Sequence, residues 1–250
     1  MAGRSSSMNE LPARVLARIA GALYLTNILL GVFALGIVPS ALTVAGDAAA
    51  TAHHIQANEL LYRSSLAAHV IVTLTNVPLA VIFWELFKVV NRRAALLVVF
   101  FTLVATGIEV AGMLNQFATL ALLDGPYSKA FTPGQLQALA YLPFDLQANS
   151  YSLSVAFFAF YDMALGYLVF RSTFLPRAIG VLLAIGGLAY LTHSFAIVLA
   201  PTFAAHLFPY IGLPSLAGEG SFTLWLLIVG VNSQKWTERG RQPRSATDYA

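Results

Sequence analysis

Six apolar stretches, each long enough to cross a bilayer, alternate along this chain with short polar connectors. A helix spanning about 30 Å of hydrocarbon needs roughly 20 mostly apolar residues, because in lipid its backbone N–H and C=O groups can be satisfied only within the segment. The pattern predicts helices at Ile19–Val38, Leu66–Phe87, Leu96–Leu122, Tyr151–Phe170, Ile179–Leu199 and Leu216–Val231, the third long enough to tilt. Stops are written between them: Pro39, Asn91-Arg92-Arg93, Asp124-Gly125-Pro126, Pro176 and Pro201. Two outer connectors carry helix starts of their own. Asp47 is placed to cap a short helix through Ala57, and Thr132-Pro133 offers a cap and first-turn proline for another over Gly134–Leu142. The predicted fold is all-α: a polytopic membrane helix bundle with six transmembrane helices, both termini cytoplasmic, and short interfacial helices in the outer loops. Residues 1–18 read as a cytoplasmic N-terminal segment, 19–235 as the transmembrane domain and 236–250 as a polar cytoplasmic tail, disordered from Arg239.

Composition agrees with lipid as the solvent. Apolar residues make up 58% of the chain and charged residues 10%, against roughly 45–50% and about 25% in soluble domains. The mean hydropathy is +0.73. Arg4, Arg14, Arg18, Lys88, Arg92, Arg93, Arg171, Arg177, Lys235, Arg239, Arg241 and Arg244 fall at one set of span ends, and only Arg63 and Lys129 at the other. Positively charged loops resist translocation, so the first set is expected in the cytoplasm, and an odd number of spans would spoil the asymmetry. A bacterial inner membrane is the expected location. The net charge of +3 is spread over helix ends instead of one stripe, which argues against nucleic acid as a partner. Zero cysteines exclude thiol redox chemistry, disulfides, iron–sulfur clusters and cysteine-rich zinc sites. The first apolar run is too long for a secretory signal, despite Ala48-Ala49-Ala50 after it, and reads as a retained anchor. The two halves show no repeat strong enough to predict an inverted-repeat transporter.

Several runs carry a resemblance. Phe170-Arg171-Ser172-Thr173-Phe174-Leu175-Pro176-Arg177-Ala178-Ile179-Gly180-Val181-Leu182-Leu183, with Gly46-Asp47-Ala48-Ala49-Ala50-Thr51, Phe87-Lys88-Val89-Val90-Asn91-Arg92 and Leu224-Trp225-Leu226-Leu227, resembles the bacterial membrane family described as domain of unknown function 4386. The likeness covers nearly the whole chain and implies a multi-span membrane protein without implying a reaction. In that family's pattern an acidic residue is more usual where this chain has His193, and an apolar one where it has Asp162.

Candidate chemistry lies in ionisable residues within the spans, where a charge costs at least about 2.5 kcal/mol at mid-bilayer. His69, Glu85, Glu109, Asp162, His193 and Glu219 are such positions. Glu85 stands three residues before Lys88 and reads as a surface pair. Ser65, His69, Thr73 and Asn76 share one face of the second span, and Thr102, Thr106, Glu109 and Gln116 one face of the third, with Asn27, Asn115 and Tyr151 able to extend the lining. Counting about 1.5 Å per residue from the outer ends puts His69, His193 and Glu219 in the outer third, Glu109 near the middle and Asp162 further in.

Three readings follow. The plainest is that these groups pair between helices and hold the bundle together, with glycines (Gly180, Gly186 and Gly187, or Gly21 and Gly31) letting backbones approach. The sharper one is a polar pocket open to the outside that binds or moves a small molecule, an ion or a lipid headgroup, with His69, Thr73, Asn76, Glu109, Asn115, Asp162, His193 and Glu219 as ligand-binding or proton-relay residues. A third is intramembrane enzymology or redox chemistry: His69, His193 and Glu219 as zinc ligands with Glu109 as base, Ser152 or Ser154 activated by His193, or a haem held between His69 and His193 with Arg63 at a propionate. No His-Glu-x-x-His run or glycine-framed serine supports it, no cofactor is required, and no catalytic residue is assigned. An accessory role beside another membrane protein or a second copy is a further class; Trp84, Trp225 and Trp236 are ordinary interfacial anchors.

Overall fold

The computed structural model of the protein describes residues 12–124, 131–207 and 210–241. These residues form helices and connecting turns, with no strand among them. In chain order the helices are α1 (Ala13–Gly31), a π-helical turn (Val32–Ile37) continuing into α2 (Val38–Leu42), then α3 (Ala48–Ala57), α4 (Glu59–Phe87), α5 (Arg92–Asp124) and α6 (Pro133–Arg171). They continue with α7 (Arg177–Leu199), α8 (Pro201–Leu207), α9 (Leu213–Ile228) and α10 (Ser233–Arg241). Six rods are long and apolar enough to cross a membrane: Ala13–Leu42, α4, α5, α6, α7 and Tyr210–Ile228. This is a multi-pass membrane protein.

The rods close into a ring. α1 packs on α4, α4 on α5, α5 on α6, α6 on α7, α7 on α9, and α9 returns to α1. Outward faces are apolar and exposed, as at Leu74 (66%), Leu114 (68%) and Val198 (77%), whereas Asn76, Glu109 and Asp162 point inward and are buried. That is the reverse of a soluble protein and suits acyl chains on the outside.

Small residues set the spacing. A methyl group at Gly180 of α7 would lie 2.6 Å from the Gly166 carbonyl oxygen and the Phe170 nitrogen of α6, and one at Gly21 of α1 would lie 2.6 Å from the Leu227 nitrogen of α9. Gly186 and Gly187 make comparable approaches to Ser215 and Ala159. Gly31, expected in the same role, faces nothing within 4 Å and contributes no such contact.

Several predicted boundaries move: the first and second spans begin earlier, at Ala13 and Glu59 instead of Ile19 and Leu66, and two helix ends shift. Pro39 does not end the first span: the wider turn at Val32–Ile37 directly precedes it, and the chain runs helically to Leu42. Because a proline cannot donate to the carbonyl four residues back, loosening the turn before it lets the helix continue. The helix begun at Thr132 does not stop at Leu142 either. Its capping box with Gln135 forms as expected, but the helix continues through Pro143 to Arg171 over 39 residues, about 58 Å. The polar run Asp145–Asn149 reads as a connector, yet it stands 22–26 residues before Arg171, about 33–39 Å along the helix and so past about 30 Å of hydrocarbon, where a helix can be polar.

This overhang builds a cap on one end of the ring. The Asp47 carboxylate accepts from the Ala50 N–H at 2.8 Å and starts α3 where expected. Ala52 and Ile55 of α3 then join Leu42, Tyr62, Leu66, Leu120, Leu123 and Ala140 in a small apolar core. The opposite end carries Arg14, Arg18, Lys88, Arg92, Arg93, Arg171, Arg177, Lys235, Arg239 and Arg241 on the ends of α1, α4, α5, α6, α7 and on α10. Glu85 pairs there with Lys88. Arg4, Lys129 and Arg244 lie outside the described residues. So does the tail beyond Arg241, whose expected disorder from Arg239 is replaced at its start by the last turn of α10. The Trp236 indole N–H holds α10 by donating to the Leu86 carbonyl at 2.9 Å.

Candidate functional site

The inward face of α1 is built of Ala13, Ala17, Ala20, Gly21, Tyr24 and Asn27. The small residues bring α9 and α4 close, and the two polar ones above them meet the rest of the ring. Tyr24 reaches Tyr161 of α6 and Glu219 of α9; Glu219 also faces Tyr190 of α7 and Asp162 of α6. The centre of the ring therefore holds two adjacent carboxyl groups, Asp162 and Glu219, bordered by three tyrosine hydroxyls. Asp162 stands nine residues before the end of α6 at Arg171, and Glu219 nine before the end of α9 at Ile228. Both are thus about 14 Å above the basic end, near mid-bilayer.

A plug of aromatic rings lies between this pair and the basic end. Tyr24 packs edge-on against Phe83 and Phe222 at 6.1 and 6.3 Å, and Phe87 and Phe174 continue the stack at 6.0 Å. Phe83, Phe87, Phe174 and Phe222 are all buried. On the other side several polar side chains are only partly buried. Glu219, Tyr190, Tyr151 and His193 keep part of their surface accessible, although Glu219, Tyr190 and Tyr151 find their neighbours inside the ring.

Next to the carboxyl pair runs a ladder of amides and hydroxyls. Asn27 Nδ2 donates to Asn76 Oδ1 at 2.6 Å, Asn76 Nδ2 donates to Thr106 Oγ1 at 3.1 Å, and Thr75 Oγ1 donates to Asn27 Oδ1. Further toward the capped end, Ser154 Oγ donates to Glu109 Oε1 at 3.4 Å, and fully buried His69 lies beside Gln116 of α5. Neither ring nitrogen of His69 reaches good hydrogen-bond geometry with a described residue.

The expected levels are rearranged. Glu219 is not level with His69 and His193 in the outer third; it meets Asp162 near the centre. Glu109, placed near mid-membrane by counting from the outer end, stands level with Ser154 and His69 nearer the cap. Glu109 is misplaced because α5, at 33 residues, is longer than its apolar window, and Glu219 because its span begins at Tyr210 instead of Leu216 and ends at Ile228. Thr73 donates to the Val70 carbonyl of its own helix at 2.9 Å instead of joining the network. Asn115, half-buried, lies on α5 one residue from Gln116. His193 sits one turn beyond Tyr190 on the same side of α7.

The zinc constellation is not assembled. Among the described residues no three His, Asp or Glu side chains come close enough to share a metal ion, so His69, His193 and Glu219 do not form a zinc site. Arg63 pairs with Glu59 of its own helix. The Ser152 hydroxyl donates to the Ala148 carbonyl, and that of Ser154 to the Tyr151 carbonyl and to Glu109. Sequence reasoning overlooked Tyr24, Tyr161 and Tyr190. A signal existed for each: Tyr24 continues the alanine face of α1, Tyr161 precedes Asp162, and Tyr190 precedes His193 by three residues.

A model of the family described as Domain of unknown function (DUF4386) matches residues 19–230. No curated protein and no solved structure matches the chain.

Proposed function

The chain belongs to the DUF4386 family, and from that premise we propose that this membrane protein binds a small cation at Asp162 and Glu219 and moves it across a bacterial inner membrane, with the basic end in the cytoplasm. One observation carries the reading: two carboxyl groups from different helices meet near mid-bilayer. An ionised pair there is costly without compensating positive charge, and ionisable residues at this depth mark ion or proton pathways by default. The tyrosine hydroxyls can donate to the carboxylates, and the aromatic faces beneath suit an ammonium as well as a metal cation.

The aromatic plug and the partly accessible Glu219, Tyr190, Tyr151 and His193 support a pocket closed toward the basic end and approached from the capped end. His69, Glu109 and His193, nearer the cap, are placed to pass protons or to guide the cation toward the pair. Purified protein tested against Na⁺, K⁺ and tetramethylammonium should show thermal stabilisation by one of them, together with uptake of that cation into proteoliposomes. Asp162→Asn and Glu219→Gln should each lower both effects by about tenfold or more. No stabilisation or uptake with the whole panel, or flux unchanged in both variants, would overturn the proposal.

A further inference from the structure

The basic end carries a hollow of about 640 Å³ between the starts of α1 and α10, the end of α9 and the loop joining α6 to α7. That volume lies within the usual range for small-ligand sites. Arg14 and Lys235 stand on its rim, Trp225 and Val229 contribute apolar surface, and no acidic residue lines it. Among the described residues neither cation has an acidic partner.

The walls are held in place by specific contacts. Gly230 turns the chain out of α9 with φ +75°, a conformation that side-chain-bearing residues rarely adopt, and a methyl group there would lie 3.0 Å from Arg14 Cγ. The Arg14 stem is therefore laid against the turn. The Asn232 N–H donates to the Phe174 carbonyl at 3.4 Å and ties the turn to the α6–α7 loop, while Asn232 Oδ1 accepts from the Lys235 N–H at 3.1 Å and starts α10. Arg14 and Lys235 are exposed, so their charged groups are available at the level where the apolar span ends.

We propose that this hollow binds the phosphate of an anionic phospholipid headgroup, with Arg14 and Lys235 on the phosphate and the Trp225–Val229 surface against the glycerol and first acyl carbons. Two cations beside apolar surface at a membrane boundary match a molecule that is anionic at one end and apolar at the other. A soluble phosphate ester shares the anionic part alone. The site is separate from the Asp162–Glu219 pair, beyond the aromatic plug, and does not depend on cation binding there.

Native mass spectrometry of the detergent-purified full chain, titrated with phosphatidylglycerol or phosphatidylcholine, tests this. Phosphatidylglycerol should be retained on the order of tenfold better. High salt should release it selectively, and Arg14→Gln combined with Lys235→Gln should bring it to the phosphatidylcholine level, while Arg93→Gln, on the same end but outside the hollow, should leave retention unchanged. Equal retention of the two lipids by the unaltered protein, or undiminished retention by the double variant, would overturn the proposal. Thermal stabilisation by lipid-free glycerol 1-phosphate equal to that by phosphatidylglycerol would assign the hollow to soluble phosphate esters and overturn the lipid as its occupant.

Discussion

Asn27 and Asn76 bond side chain to side chain across α1 and α4 at 2.6 Å, buried in the ring where acyl chains offer no partner. Interhelical bonds of this kind contribute about 0.6–2 kcal/mol. A double-mutant cycle with Asn27→Leu and Asn76→Leu, read by unfolding in mixed micelles, should return a coupling energy in that range; additive single effects would show that the bond contributes nothing net. Packing at single residues makes a second prediction. Gly180→Val would force a side chain into the Gly166 and Phe170 backbone and should destabilise by about 1–3 kcal/mol, whereas Gly31→Ala, with open space around it, should stay within about 0.5 kcal/mol of the parent. Thermal unfolding of both variants in one detergent separates the two outcomes.

At the scale of elements, helix starts were easier to read than helix stops. Asp47 and Thr132 cap where their side chains predict, because a cap is a local bond between a side chain and the next turn. Pro39 was a poor stop because termination depends on what surrounds the missing bond, here a loosened π turn, and the helix begun at Thr132 likewise runs on through buried Pro143. α10 is polar and has only nine residues, too few to persist alone. Its attachment through Trp236 leads to a third prediction. Trp236→Phe keeps the ring but removes the bond to Leu86, and should raise amide exchange over Ser233–Arg241 by about tenfold or less, consistent with one bond of about 0.5–1.5 kcal/mol. Unchanged exchange would mean that α10 is held by packing alone.

Across the whole molecule, alternating helix direction and the ring closure of α9 on α1 put the ends of the six spans on two faces. The absence of cysteine makes this directly measurable. Single cysteines at exposed Arg92 or Arg177 should react with a membrane-impermeant maleimide only when the basic face is made accessible, and one at exposed Ala57 only from the other side. Labelling of all three from one side would contradict the six-span ring. The arrangement also explains why the polar residues lie together: one closed ring offers a single interior, so inward polar groups of six helices share it.

The sequence determined what each span is and which of its faces is polar, because both follow from lipid as solvent and from the 3.6-residue turn. It identified Asp162, Glu109, His69 and Glu219 as inward groups. Only the tertiary structure decided which of them meet. Partnership depends on how far each rod is slid along its neighbours, and that register is set by the Gly21, Gly166 and Gly180 contacts and by the overhang of α6, none of which periodicity encodes. Glu219 consequently meets Asp162, and three tyrosines become part of the site because the rods that carry them bring them to the same height.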